Sequence, residues 1–180
     1  MPSMMDRLIL WVGEKHSGKT TALADFVGIA RAEGFNVAGI LAPSLYRDGR
    51  LIGFDVLDLR DSNRAPLARR EIVASVTGHF TFLEDGLKLG NAALSKEATE
   101  SADLIVVDEF GPLELRGRGW RSSVDSLLTS GNNAIMLVVR RKLVSLVRRT
   151  YSDFPCRDVN AGEPGAPNKI IEMLTRSIHG

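Results

Sequence analysis

One stretch, Leu8 to Leu23 (LILWVGEKHSGKTTAL), restricts what this chain can fold into more than any other. The apolar run Leu8, Ile9, Leu10, Trp11, Val12 has the length and make-up of a strand. The turn that follows, Gly13-Glu14-Lys15-His16-Ser17-Gly18-Lys19-Thr20, fits G-x-x-x-x-G-K-[ST] at every fixed position, and Thr21 continues into a helical pattern. Gly13 and Gly18 permit a backbone tight enough to aim successive N–H groups inward. The positive end of the helix beginning near Lys19 completes an anion cradle. Lys19 is placed to reach β/γ-phosphates, and the Thr20 hydroxyl to take a position on Mg²⁺. At average residue usage a chance match arises in fewer than roughly 1% of chains this long. Gly13 to Thr21 is therefore read as a loop that binds a nucleoside triphosphate, ATP or GTP.

A second stretch answers the first. Leu104-Ile105-Val106-Val107-Asp108-Glu109 begins with four apolar, largely β-branched residues, the pattern of a parallel strand buried on both faces. Acids at the carboxyl end of such a strand fall where open α/β sheets bind ligands. An Asp there holds Mg²⁺ in loops of this class, so Asp108 joins Thr20 as a candidate metal ligand.

Between these stretches, Leu23, Phe26, Val27 and Ala30 share one helical face, with Gly34 where a C-cap belongs. Phe35 to Leu41 reads as a strand. Asp48-Gly49 between apolar flanks predicts a hairpin over Leu45 to Phe54, an antiparallel ribbon inserted beside the phosphate loop. Asp61 to Arg70, carrying Pro66, Arg64, Arg69 and Arg70, reads as a solvated basic loop. His79 to Leu83 reads as a strand, and Asp85 as the cap of a helix running to about Ser101 with Leu87, Leu94 and Ala98 inward.

Past Leu115, a loop with Arg116, Arg118 and Arg121 leads to a helix on Trp120, Val124, Leu127 and Leu128. Ala134 to Val139 predicts another buried strand. Arg140, Arg141 and Lys142 open a helix with Leu143, Leu146 and Val147 inward. Cys156 to Val159 makes a last strand, and Asn168 to Ile178 a closing helix. Asn168-Lys169 matches a guanine-reading motif only in part, because no Asp stands two places on.

With 180 residues, 44% hydrophobic and 25% charged, the chain is expected to form one domain over 1–180. A net charge of +1 and no aromatics interleaved with its basic groups argue against a nucleic-acid or membrane specialist. The single Cys156 rules out an internal disulfide framework and suits a reducing cytoplasm. Only five strongly apolar residues precede Gly13, short of the roughly 7–15 of a signal peptide, and no run approaches membrane-spanning length.

The phosphate loop, the inserted hairpin and Asp108-Glu109-Phe110-Gly111-Pro112-Leu113-Glu114-Leu115 together resemble the small P-loop nucleoside-triphosphatases. That family was first described from thermophiles and includes the cancer-related NTPase of animals. Its D-E-[IF]-G-x-[ML]-E-L signature is close to Asp108–Leu115, and the resemblance runs from about Leu8 to Tyr151. It implies a RecA-like α/β fold, its mostly parallel central sheet flanked by helices and carrying the hairpin. It further implies slow, Mg²⁺-dependent hydrolysis of several nucleoside triphosphates. Carried over, Lys19 and Thr20 hold phosphate and Mg²⁺, Asp108 is the metal-holding acid, Glu109 the base, and Glu114 a second acid expected to be structural. An arginine finger from Arg116, Arg118, Arg121 or Arg140, in cis or from a neighbouring subunit, would speed such a site. Two alternatives use the same loop: a nucleotide-dependent accessory switch, as in molybdenum-cofactor assembly, and a small-molecule kinase.

Overall fold

The structure is a computed structural model that describes residues 7–14, 18–73 and 76–179. In chain order the elements are β1 (Leu8–Gly13), α1 (Lys19–Ala32), β2 (Val37–Leu41), β3 (Ser44–Arg47), β4 (Arg50–Asp58), β5 (Arg64–Val73) and β6 (Val76–Phe82). Then follow α2 (Glu84–Ala93), α3 (Lys96–Thr99), β7 (Leu104–Val107), α4 (Pro112–Leu115), α5 (Arg121–Ser130), β8 (Ala134–Arg140), α6 (Val144–Thr150), β9 (Cys156–Asn160) and α7 (Ala166–His179). The strands form one sheet in the order β6-β5-β4-β2-β7-β8-β1-β9, with β3 paired to β4 off that path.

From β2 to β9 all neighbours are parallel; β3, β4, β5 and β6 add an antiparallel wing. The parallel half forms because its strands are apolar on both faces, which only helices above and below can cover. Leu8, Leu10 and Val12 pack with Ile105, Val107, Ile135, Leu137 and Val139 on one side, under Ala93, Leu94, Val124, Leu128 and Val147 of the helices. Ile9 and Trp11 pack with Leu104, Val106, Met136 and Val138 on the other, under Leu23, Phe26 and Ala30 of α1 and Ile170 and Leu174 of α7. Each such side chain taken from water contributes roughly 1.5–3 kcal/mol.

The predicted hairpin is present, and Asp48 (φ 49°) and Gly49 (φ 72°) are left-handed at both central positions, the type I′ turn that matches strand twist. The basic loop expected over Asp61 to Arg70 is instead mostly strand β5. Two of its arginines are held by an acid on the neighbouring strand: Asp55, 9% exposed, accepts from Arg64 Nε and Arg69 Nη2, both at 2.6 Å. Pro66, which argued for a loop, stands opposite the β4 irregularity at Phe54/Asp55, where a missing N–H costs no ladder bond.

The helix expected from Asp85 to Ser101 is broken. Ser95 takes the N-cap of α3 by accepting from Ala98 N at 3.2 Å, and such local side-chain bonds compete with helix continuation. Asp85 lies in the first turn of α2 and Leu83 holds its N-cap position. Arg140 ends β8 rather than opening a helix, and Leu146, expected inward, is 43% exposed. No helix among the described residues is long and apolar enough to cross a membrane.

Candidate nucleotide site

The carboxyl ends of β1, β7, β8 and β2 lie side by side along one edge of the sheet, because all four strands run the same way. β1 delivers Gly13, paired with Arg140 at the end of β8. Lys15, His16 and Ser17 lie outside the described residues. Gly18, with φ 73°, sits in the left-handed region and turns the chain into α1. The turn points Lys19 into the sheet edge, where it is 8% exposed and its Nζ donates to the Glu14 carbonyl. Burial lowers the Lys19 pKa, and Arg140 lowers it further, while Glu109, Asp108 and Glu14 oppose the shift. Thr21 points outward from α1 and is exposed.

Thr20, on the first turn of α1, meets the tip of β7. Its Oγ1 donates to Asp108 Oδ2 at 2.8 Å, and the same oxygen accepts from Ala42 N at 3.1 Å. Asp108 is 2% exposed. Burial raises its pKa to about 6, against the lowering effect of those two donors. Ala42 follows β2 directly, so the ribbon of β3 and β4 springs from the residue that holds the acid.

Glu109 turns toward β8. Arg140 Nε approaches its Oε1 at 2.7 Å, an ion pair whose N–H is not aimed at the oxygen, so Oε1 is buried without a directed hydrogen bond. Of the four arginines considered from sequence, Arg140 alone is placed at Glu109 and Lys19. Arg121 pairs with Asp125 at 2.8 Å and lies over the Tyr151 ring; Arg116 and Arg118 are exposed. Glu14 reaches Arg141 Nε at 3.0 Å on the surface.

Glu114, 4% exposed, is turned away from this edge into its own loop: Oε2 accepts from Gly111 N at 2.9 Å and Oε1 from Trp120 N at 3.4 Å. Sequence reasoning had no access to the Ala42 amide, a main-chain donor brought in by β2. For Arg140 the signal was its place at the end of a buried strand, parallel to the one that ends in Glu109.

A strand–glycine loop–helix unit beside an acidic strand tip, on a mostly parallel sheet with helices on both faces, is the P-loop NTPase architecture. Residues 8–160 match the family model described as NTPase. The nucleoside-triphosphatase THEP1 of Methanothermobacter thermautotrophicus is 32% identical over 142 residues, 78% of this chain and 81% of that protein. Its namesake from Methanopyrus kandleri is 29% identical over 137 residues, 76% of each chain. Among solved structures, a human cancer-related nucleoside triphosphatase superposes with TM-score 0.69 at 19% identity, over 97% of this chain and 98% of that one. THEP1 from Aquifex aeolicus gives 0.62 at 19%, over 92% and 95%. The chain belongs to this NTPase family.

Proposed function

We propose that the protein hydrolyses nucleoside triphosphates to the diphosphate and phosphate, with Mg²⁺ as cofactor, slow turnover and little base preference, as one domain over 1–180. The observation that carries the reading is the Thr20–Asp108 hydrogen bond of 2.8 Å, which joins the phosphate loop to the acidic strand tip. The relatives named above carry the same activity in their names.

The residues fit magnesium. A hydroxyl and a carboxylate are hard oxygen donors, and Mg²⁺ typically takes one or two carboxylates and leaves the remaining positions to phosphate and water. Thr20 and Asp108 would hold it. When bound, the ion supplies positive charge against the β- and γ-phosphate oxygens.

The chain's own groups do the remaining work. Gly13, Glu14, Lys15, His16, Ser17, Gly18, Lys19, Thr20 and Thr21 wrap the phosphates, mostly through main-chain N–H groups. Lys19 exchanges the Glu14 carbonyl for a phosphate oxygen, and its charge counters what develops on the leaving diphosphate. Glu109 orients the attacking water and accepts its proton at a carboxylate oxygen, while Arg140 holds that carboxylate in place. An arginine acting on the transferring group is worth about 10³–10⁵ in rate, and Arg140 spends its charge on Glu109, in keeping with slow turnover. A phosphate-release screen over ATP, GTP, CTP and UTP, with and without Mg²⁺, tests the reading beside the Glu109→Gln protein. Release that needs an added acceptor would move the protein to the kinases. Release that appears only with a protein partner would make it an accessory switch.

A further inference from the structure

The antiparallel wing carries a cleft that the hydrolytic site does not use. Its cavity of about 620 Å³ is lined by Arg47, Asp48, Arg50, Ile52, Arg69 and Arg70. That volume lies in the range of small-molecule sites, roughly 300–1,000 Å³. In the strand order, β4 stands four places from β1. At roughly 4.8 Å per place that separates the two strands by about 19 Å across the sheet.

The charges in the cleft are not matched. Arg47 and Arg50 are direct cross-strand partners on the β3–β4 hairpin, an arrangement of like charges that costs stability unless something neutralises it. Arg69 is engaged by Asp55. Among the described residues, no carboxylate is ion-paired with Arg47, Arg50 or Arg70, and Asp48 is the one acid lining the cleft. Arg70 Cζ lies over the Phe80 ring, 4.1 Å from its centroid, and its buried Nε has no hydrogen-bond partner among the described residues. A guanidinium fixed on an aromatic face with an unpartnered N–H is a pre-organised fork for oxyanions. A concave wall with four arginines against one acid also concentrates anions.

We infer that this cleft is a second anion site, taking a small ligand that bears two or more phosphate groups, held by Arg47, Arg50 and Arg70. The shared chemistry is a run of phosphate oxygens, carried either by a free polyphosphate or by the tail of a second nucleotide. The inference rests on the charge and shape of the wing and not on hydrolysis, so it stands or falls separately from the activity.

Inorganic tripolyphosphate, titrated by calorimetry into the full chain without Mg²⁺, is the first probe. The Lys19→Ala protein, its phosphate loop disabled, should still bind tripolyphosphate. Adding Arg47→Ala and Arg50→Ala should weaken that event at least about tenfold. Arg70→Lys, which keeps the charge and loses the fork, should weaken it as well. In the unaltered chain, the amide resonances of Arg47 to Arg50 should shift on titration, a readout that does not depend on the Lys19→Ala protein folding. A parallel titration with ADP separates the sources: equal affinity marks a site for phosphate alone, and tighter ADP binding marks a nucleotide tail. Each of those two results supports the site when the arginine variants weaken it. Binding that disappears with Lys19→Ala while the hairpin amides stay still overturns the inference, as does binding unchanged by the arginine variants. So does capture of polyglutamate without tripolyphosphate.

Discussion

Thr20 donates its hydroxyl hydrogen to Asp108 Oδ2 at 2.8 Å across 88 positions of sequence. The bond spans two parallel strands that are not neighbours, since β8 lies between β1 and β7 in the sheet. It gives a buried carboxylate, its pKa raised to about 6, one of its two partners and ties the start of α1 to the acidic strand tip. Removing the hydroxyl separates two roles. Thr20→Ala should weaken nucleotide binding about tenfold or more with Mg²⁺ present and change it little in EDTA, by calorimetry. An equal loss in both conditions would take Thr20 out of the metal shell.

Glu109 and Arg140 should part kinetically. Glu109→Gln is expected to retain nucleotide affinity and lose about 10²–10⁴ in kcat, because only proton acceptance is removed. Arg140→Ala should lower kcat less, through loss of orientation, and Arg140→Lys should recover only part of it, since an ammonium lacks the planar fork. Single-turnover phosphate release, with nucleotide affinity measured separately, distinguishes these outcomes. Wild-type kcat in the Glu109→Gln protein would remove Glu109 from the chemistry.

Glu114 should leave a mark on stability against pH. Burial raises its pKa above the ordinary glutamate value of 4.5, against the amides of Gly111 and Trp120 that favour the charged form. A carboxyl group raised in the folded state stabilises fully below its unfolded pKa and loses that contribution as pH rises through the folded value. Glu114→Gln keeps one acceptor for the Gly111 amide and does not titrate. The stability of this variant relative to wild type should therefore improve from pH 4 to pH 8, read as the difference in urea midpoints at each pH. A difference that stays flat or moves the other way contradicts the assignment.

Gly90 is where α2 touches Trp120. A methyl group built there would lie 2.3 Å from the indole, so the ring or the helix must move. Trp120 is 3% exposed and packs in the core. Gly90→Ala should cost about 1–3 kcal/mol despite the better helix propensity of alanine. Thermal unfolding by circular dichroism is the measurement, and an unchanged Tm would mean that the indole yields freely.

Where the sequence was legible, the information was local. Leu23, Phe26, Val27 and Ala30 announced the buried face of α1, and all four are buried. Asp48-Gly49 announced a turn that only residues tolerant of positive φ can make. The runs at Leu8, Leu104 and Ala134 announced strands covered on both faces, and each is. What misled was composition read without neighbours. Arg64, Arg69 and Pro66 look like a wet loop until Asp55, on the adjoining strand, is seen to neutralise two of them and the β4 irregularity to accommodate the third.

By itself the sequence determined the glycine-bracketed loop, the acids at the end of a buried strand and the period of each helix, because backbone preference and hydrophobic spacing act over a few residues. Only the tertiary structure decided that the Ala42 amide serves Asp108, that Arg140 rather than Arg116, Arg118 or Arg121 stands at Glu109, and that the wing gathers arginines into a cleft. Those outcomes follow from which strands lie side by side, and strand pairing is settled by the burial of the whole sheet.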